Sequence, residues 1–392
     1  MKTLNDVCEL ITCGVAKRPD YVPSGIPFLS SKNVKENRFI LNDYNFVSKV
    51  DFEKLTKYSK PENGDILYTR VGSFGEAAVI DLDFEFAIFV SLTLIKPKHD
   101  VLYNRYLMYY LNSPRIRNLA ENSTSGIGVQ NLNVGAVREF PIDLPPLAEQ
   151  KKIAALLDAA DSLRQKDKAL VAKYDELTQS LFLEMFGDPV RNEKGWEMKK
   201  LKDVTSKIGS GSTPKGGKES YHDEGISLIR SLNIYDNEFS YDNLAFIDQI
   251  QADKLKNVIV EENDVLFNIT GASVCRCAIV PVNVLPARVN QHVSILRSIP
   301  TILNPFYLSR LLISENIKRL LLGVGSFGGA VMEAITKEQL ENFEITLPPL
   351  KLQNQFAERV QVIEKQKLLA QVGLKKSEEL FEGLLGKVFA KN

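Results

Sequence analysis

The sequence FPIDLPPLAEQ at residues 140–150 recurs about two hundred residues later as FEITLPPLKLQ at residues 343–353. Each copy runs directly into a long helical pattern, which ends near Phe186 in the first copy and near Phe389 in the second. A constant offset over about fifty residues indicates an internal duplication. The duplication predicts two globular units, each followed by its own long helix.

The duplication continues upstream in shorter matched blocks. Gly25–Asn33 pairs with Gly225–Asn233, and Gly64–Tyr68 pairs with Asn263–Phe267. The offset drifts by a few residues between blocks, which indicates small insertions, and insertions of this kind fall in loops. Short β-type runs separated by Gly, Asn, Ser and Pro clusters predict mixed α and β structure in each unit. We therefore expect one scaffold that presents two different surfaces.

The segment that follows residue 147 has apolar residues spaced alternately by three and four, as in a coiled-coil seam. A second seam runs from Phe356 to Val388. A helix of about 36 residues is roughly 54 Å long and needs a partner for its apolar stripe. The simplest partner is the other copy, paired antiparallel with an approximate two-fold axis, so that Leu163 and Leu170 face the second helix. The alternative is a generic dimerisation coiled coil. The first seam consists of two rows: Ile153, Ala160, Tyr174 and Leu181, and Leu156, Leu163, Leu170 and Leu177.

Composition narrows the class of protein. Hydrophobic content of 44% and charged content of 25% are ordinary for a soluble protein, and no run of eighteen apolar residues predicts a membrane span. The start of the sequence lacks the apolar stretch of a signal peptide. Four cysteines without CxxC spacing suit a reducing cytoplasm. The net charge of zero is unusual for a nucleic-acid-binding protein, so we expect segregated charge and DNA affinity that depends on a partner.

Three stretches resemble catalytic motifs but lack the context that the chemistry needs. GVGSFG at 323–328 spells GxGxxG, yet a helix precedes it where a dinucleotide site needs a strand. GSTPKGGKE at 211–219 is a near miss for a P-loop, and NPFY at 304–307 is a near miss for a methyltransferase tetrapeptide. The histidines, His99, His222 and His292, have no metal-ligand spacing. We expect no catalytic, cofactor-binding or metal-binding residues.

The chain closely resembles the specificity subunit of type I restriction-modification systems. The resemblance rests on LPPLAEQ at 144–150 with FGDP at 186–189, on LPPL at 347–350 with Gln353, and on GSGSTP at 209–214. The second copy departs from the first at residues 351–352, where Lys-Leu replaces Ala-Glu.

The resemblance implies an α+β chain in which two repeated mixed α/β target recognition domains are separated by two long helices in an antiparallel coiled coil. Each domain would read half of a split DNA sequence. It also implies two modification subunits, which bind S-adenosylmethionine and methylate adenine, and two restriction subunits, which use ATP to translocate and cut. Catalysis would belong to those partners. The expected segments are 1–143 and 190–346 for the domains, and 144–189 and 347–392 for the helical regions.

DNA contacts are expected from matched loops of the two domains. Arg, Asn and Gln side chains can make bidentate contacts to purine edges, while Lys, Ser and Thr more often hold phosphate. For any one candidate the alternative is an ordinary solvated side chain. For the whole chain, the alternatives are a coiled-coil scaffold without DNA function and a stand-alone methyltransferase or nuclease. The candidates are Arg18, Lys32, Asn33, Arg70, Ser73 and Gln130 in the first domain, and Ser212, Thr213, Lys215, Arg230, Asn233, Asn268, Arg276 and Gln291 in the second.

Overall fold

The chain folds into two compact units, each built from one globular repeat and parts of both long helices. A computed structural model describes residues 2–72, 74–125, 131–214, 216–325 and 334–390. Unit 1 comprises Met1–Ala169 with Gln371–Asn392, and unit 2 comprises Leu170–Ala370. The first long helix spans Leu147–Phe186 and the second long helix spans Leu350–Val388.

The main sheet of each unit has four antiparallel strands in the same order. The two inner strands are buried along most of their length and rich in Ile, Leu and Val, which suits a strand covered on both faces. In spatial order, the strands of unit 1 are Cys8–Cys13, Leu92–Pro97, Ile66–Thr69 and Ala77–Val79, and those of unit 2 are Thr205–Ser210, Val293–Ser298, Val265–Asn268 and Cys277–Ile279.

A smaller sheet lies beside each main sheet and contains one parallel pair. In unit 1 its strands are Asn45–Val47, Ile26–Leu29 and Ala87–Ile88, with the last two parallel. In unit 2 they are Ala245–Ile247, Ile226–Ile229, Ala287–Val289 and Ile259–Val260, with the middle two parallel. The same pairing in both units confirms that the sequence duplication is a structural one.

Short strand pairs and helices complete each unit. The pairs are Lys2–Thr3 with Pro141–Ile142, Val34–Lys35 with Arg38–Phe39, Thr124–Ser125 with Asn131–Leu132, Glu197–Lys200 with Glu344–Leu347, and Ile234–Tyr235 with Glu238–Phe239. The helices are Leu4–Val7, Lys49–Leu55, Asn104–Leu111, Pro114–Asn122 and Val134–Arg138 in unit 1, and Leu201–Val204, Gln249–Lys254, Pro305–Leu312, Glu315–Gly325 and Lys337–Asn342 in unit 2.

Both long helices contribute to the core of unit 1. Leu157 of the first long helix is fully buried in the same cluster as Phe381 and Phe389 near the end of the second. The ring of Phe389 meets Tyr110 of the helix Asn104–Leu111 edge to face, with centroids 5.3 Å apart. Contacts of this kind add about 0.5–1.5 kcal/mol beyond the buried area. The globular repeat therefore closes its core with residues from both long helices.

Unit 2 repeats this arrangement with the roles of the two helices exchanged. Phe182 and Phe186, near the end of the first long helix, pack against Phe356, near the start of the second. Tyr307 joins them, with its ring centroid 4.7 Å from that of Phe186. In each unit the start of one long helix thus lies against the end of the other, which confirms the predicted antiparallel pairing within one chain.

The prediction that Leu163 and Leu170 face the second long helix is wrong. Their exposed fractions are 46% and 42%, and Leu156 and Leu177 of the same row are also exposed. The first long helix instead turns a neighbouring row inward, which includes Leu157. A helix that packs on both a globular repeat and another helix buries residues at the 3.6-residue helical period, whereas a two-stranded seam requires a strict seven-residue repeat.

A buried glutamine fixes the start of each long helix on its own globular repeat. The side-chain nitrogen of Gln150 donates to the carbonyls of Val101 (2.9 Å) and Pro145 (2.8 Å), and its oxygen accepts from the Tyr103 amide (2.8 Å). Gln353 makes the matching contacts with the carbonyls of Ile302 (3.2 Å) and Pro348 (2.7 Å) and with the Asn304 amide (2.8 Å). Both side chains are fully buried. The repeated Pro-Pro-Leu-x-x-Gln sequence therefore attaches the start of each long helix to its globular repeat.

None of the helices in the described ranges combines the length and the apolar content that a membrane-spanning segment needs.

Candidate nucleic-acid interface

In each unit, several loops meet at one end of the main sheet, which we call the loop edge. In unit 2, Thr205–Ser210 and Val265–Asn268 end there, while Cys277–Ile279 and Val293–Ser298 begin there, because neighbouring strands are antiparallel. The segments 211–214, 269–276 and 290–292 are thereby brought together. Asn268 also donates from its side-chain nitrogen to the Ser231 carbonyl (2.9 Å), which adds the loop after Ile226–Ile229.

A chain of hydrogen bonds crosses the loop edge of unit 2. The Thr213 hydroxyl donates to the side-chain oxygen of Gln291. The side-chain nitrogen of Gln291 lies 3.2 Å from Nε2 of His292, and Nδ1 of His292 lies 2.6 Å from Oγ1 of Thr270. Gln291 is exposed, and the other three are half-buried. These hydrogen bonds therefore link three half-buried side chains to the exposed side chain of Gln291.

The loop edge of unit 1 is built differently. Arg70 is buried, and its guanidinium donates through Nε to the Leu132 carbonyl (2.9 Å) and through Nη1 to the Val90 carbonyl (3.0 Å). The strand register places Ile269 of unit 2 at the equivalent position. Arg70 therefore ties loops of unit 1 to one another, and we withdraw the expectation that it reads a base.

Three asparagines from the predicted contact set are fully or almost fully buried. Asn33 donates to the carbonyls of Ile40 and Asp43, and Asn233 donates to those of Ser240 and Asp242. Asn268 donates to Ser231, as described above. A buried amide that satisfies local backbone carbonyls stabilises its loop and leaves no surface for DNA. We therefore remove these three residues from the candidate interface as well.

Each of the remaining predicted cations that the structure describes lies beside a neighbouring side chain. Arg18 is exposed, and its guanidinium lies 5.8 Å from the ring centroid of Phe89, whereas Lys32 pairs with Asp43 at 2.6 Å. The guanidinium of Arg230 lies 5.1 Å from the Tyr221 ring and donates to the Asn243 carbonyl, and that of Arg276 lies 4.6 Å from the Tyr235 ring. Ser212 is exposed beside Thr213. Ser73, Gln130 and Lys215 lie outside the described residues.

The structure adds Thr270 and His292, which the sequence analysis did not select. Both lie next to strand ends of the main sheet: Thr270 is the second residue after Val265–Asn268, and His292 directly precedes Val293–Ser298. The equivalent positions of unit 1 hold Val71 and Ser91. The sequence does contain a signal for these two residues, because they differ from their equivalents next to matched strand ends. An alignment of the two repeats strand by strand would have found this difference.

Metal and thiol chemistry receive no support within the described ranges. No group of three His, Cys, Asp or Glu side chains there could hold a metal ion. Burial raises the pKa of the Cys8 and Cys277 thiols to about 12, so both remain neutral at physiological pH. The GVGSFG motif at 323–328 extends beyond the described residues at 326–328.

A second accessible surface lies on the long helices. In unit 1, Leu156 and Leu163 are exposed on the first long helix and Leu380 on the second. Unit 2 exposes Leu170 and Leu177 on the first long helix, and Val362 and Leu369 on the second. Single exposed apolar residues are common, but leucines repeated every seven residues on a helix are typical of a surface that receives another helix.

Comparison with known proteins finds matches over both globular repeats. The family model of the type I restriction modification DNA specificity domain matches residues 1–172 and again residues 193–376. A Methanocaldococcus jannaschii protein provisionally named as the MjaX type I restriction enzyme specificity subunit is 24% identical over 388 residues, covering 93% of this chain and 86% of that protein. The EcoBI specificity subunit of Escherichia coli is 25% identical over 177 residues, covering 44% of this chain and 37% of that subunit.

Two solved structures share the fold. The S subunit of a type I restriction-modification system from M. genitalium superimposes with a TM-score of 0.58 at 15% identity, covering 100% of this chain and 96% of that one. A chain from a structure describing complex assembly and conformational transition of a type I system gives 0.55 at 19% identity, with 99% and 96% covered. These similarities confirm the predicted fold class.

Proposed function

The chain belongs to the type I restriction-modification DNA specificity family, and from this premise we propose that it selects the DNA sequence on which a type I restriction-modification complex acts. The observation that carries the proposal is the pair of matched loop edges. One scaffold occurs twice, yet Arg70 organises the first edge and a Thr-Gln-His-Thr chain organises the second. Two similar supports with different polar groups suit the recognition of two different half-sites in double-stranded DNA.

Base recognition would come from the accessible residues of each loop edge. We propose that Arg18 and Lys32 in unit 1 and Ser212, Thr213, Arg230, Arg276 and Gln291 in unit 2 contact DNA, with Ser73, Gln130 and Lys215 as further candidates. Because the chain has no net charge, phosphate attraction alone gives weak affinity. We therefore expect tight binding only within the complete assembly.

The main experiment coexpresses the chain with its modification subunit in a host without adenine methylation and maps the modified adenines by sequencing. One bipartite motif is expected, and none when the chain is omitted. In a second variant, residues 1–143 are replaced by a copy of residues 190–346. The motif should then contain the second half-site twice, and an unchanged motif would refute the assignment of one half-site to each domain.

We further propose that the long helices bind the modification subunits, one on each unit, and that two restriction subunits complete the complex. The exposed leucines of each unit provide an apolar stripe for a partner helix. Catalysis is assigned to those partners, because the matching family is a DNA specificity domain. Methyl transfer by the purified chain alone would contradict this assignment.

The docking surface can be tested in one unit at a time. The double variant Leu156→Asp, Leu163→Asp places charge only on the exposed face of unit 1 and should leave folding intact. We expect native mass spectrometry to detect one bound modification subunit instead of two. Val50→Asp is the matched control, because Val50 is an exposed apolar residue of unit 1 on a different helix. Equal binding by the double variant and the control would exclude this surface.

A further inference from the structure

We propose that Thr270, held by His292, determines specificity for the second half-site by donating its hydroxyl proton to an acceptor on a base edge. This inference deepens the proposed function, because it assumes that the loop edge of unit 2 contacts DNA. It begins from the hydrogen-bond chain of Thr213, Gln291, His292 and Thr270.

The donors and acceptors along this chain determine its direction. An amide nitrogen can only donate, so Nε2 of His292 must accept from the side-chain nitrogen of Gln291. With Nε2 as an acceptor, the ring proton of His292 resides on Nδ1, which donates to Oγ1 of Thr270 across 2.6 Å. Because Thr270 accepts this bond, its own hydroxyl proton remains available for another acceptor. Among the described residues, His292 is the hydrogen-bond partner of this hydroxyl.

Hydrogen bonds to its backbone hold His292 in place, and His292 in turn restricts the rotation of the Thr270 hydroxyl. The His292 backbone amide donates to the Asn290 side-chain oxygen at 3.0 Å, and its carbonyl accepts from the Ile269 amide at 3.0 Å. At its other end, the chain is held by the Thr213 hydroxyl, which fixes the orientation of the Gln291 amide. His292 is therefore a positioning residue, and Thr270 is the group that meets DNA.

A base, rather than a phosphate, is the ligand that the comparison of the two units favours. Phosphate is identical in both half-sites, so contacts to it can be the same in both units. Unit 1 has Val71 where unit 2 has Thr270, and Ser91 where unit 2 has His292. Ser91 is buried, and its hydroxyl accepts from the Ser31 amide at 3.0 Å, so it presents no donor at the surface. A hydroxyl donor that only one of the two loop edges presents is suited to distinguishing one DNA sequence from another.

Guanine is the expected base. It presents two acceptors, O6 and N7, in the major groove, whereas cytosine presents a donor there. Thr270 offers one donor, and the second amide proton of the exposed Gln291 offers another. We therefore expect the second half-site to contain a guanine whose recognition requires Thr270.

The test maps methylated adenines in cells that express the full chain with its modification subunit. Thr270→Val, which replaces the hydroxyl by a methyl group, should reduce discrimination at one guanine of the second half-site about tenfold and leave the first half-site unchanged. His292→Phe should have the same effect, whereas His292→Asn keeps a donor near Nδ1 and should restore most of the discrimination. Thr205→Val is the control, because Thr205 lies at the far end of the strand Thr205–Ser210, where its hydroxyl donates to the Leu201 carbonyl.

The possible outcomes separate this inference from the proposed function. If the unmodified chain specifies no motif, the proposed function fails. If it specifies a motif that Thr270→Val leaves unchanged, only the present inference fails. A uniform loss of methylation with unchanged base preference would identify a phosphate contact and overturn base reading. Thermal unfolding of each variant separates these outcomes from misfolding, and His292→Asn supports the inference only if it differs from His292→Phe.

Discussion

Replacing Gln150 by leucine should release the start of the first long helix from unit 1. Gln150 is fully buried and satisfies two carbonyls and the Tyr103 amide. Leucine fills the space but leaves all three groups without partners. A buried polar group without a partner costs about 1–3 kcal/mol. Because the structure can relax so that water reaches some of these groups, we expect the free energy of local opening in this region to fall by about 3 kcal/mol in total.

Hydrogen exchange at the Tyr103 amide measures this loss directly, because that amide donates to Gln150. A loss of about 3 kcal/mol corresponds to exchange roughly 150-fold faster. Gln353→Leu should accelerate exchange at Asn304 in unit 2 by a similar factor and leave Tyr103 unaffected. Gln371→Leu is the control, because Gln371 is exposed on the second long helix. Unchanged exchange at Tyr103, or equal acceleration by Gln371→Leu, would refute the reasoning.

Three further predictions concern single side chains. Leu157→Ala should lower the free energy of unfolding by about 2–5 kcal/mol, whereas Leu163→Ala should change it by no more than about 0.5 kcal/mol; similar urea unfolding curves would contradict the assigned helix faces. Arg70→Met should destabilise unit 1 by about 2 kcal/mol in thermal unfolding while leaving the second half-site unchanged, and a fully stable variant would return Arg70 to the DNA interface. Cys8 and Cys277 should resist iodoacetamide at pH 8, because the thiolate is the nucleophile and burial holds both thiol pKa values near 12; rapid labelling measured by mass spectrometry would argue against this burial.

The duplicated sequence was sufficient to predict the order of the units, the long helices and their antiparallel pairing. It did not reveal which leucine row of the first long helix faces inward. Leu156 and Leu157 are adjacent and chemically identical, and only the packing of the helix against a globular repeat buries the second and exposes the first. Sequence periodicity describes the helix itself, whereas burial depends on what surrounds it.

The candidate interface was predicted less well, because sequence does not show which polar side chains turn inward. Asn33 and Asn233 occupy matched positions in the two repeats and make the same kind of backbone contacts. Their identity in both copies was itself informative. Two surfaces that read different half-sites should share the residues of the scaffold and differ in the residues that recognise bases. Thr270 and His292, which are Val71 and Ser91 at the equivalent positions of the first repeat, satisfy that criterion.

The composition of unit 1 has a consequence for synthesis on the ribosome. Its core includes Phe381, Leu385 and Phe389, which are translated after the whole of unit 2. Translation at about 5–20 residues per second separates the two parts of this core by tens of seconds. During that interval, Tyr106 and Tyr110 lack the rings that cover them in the finished protein. Unit 2 should therefore mature first although it is synthesised second, and the nascent first repeat should expose its apolar side chains for longer.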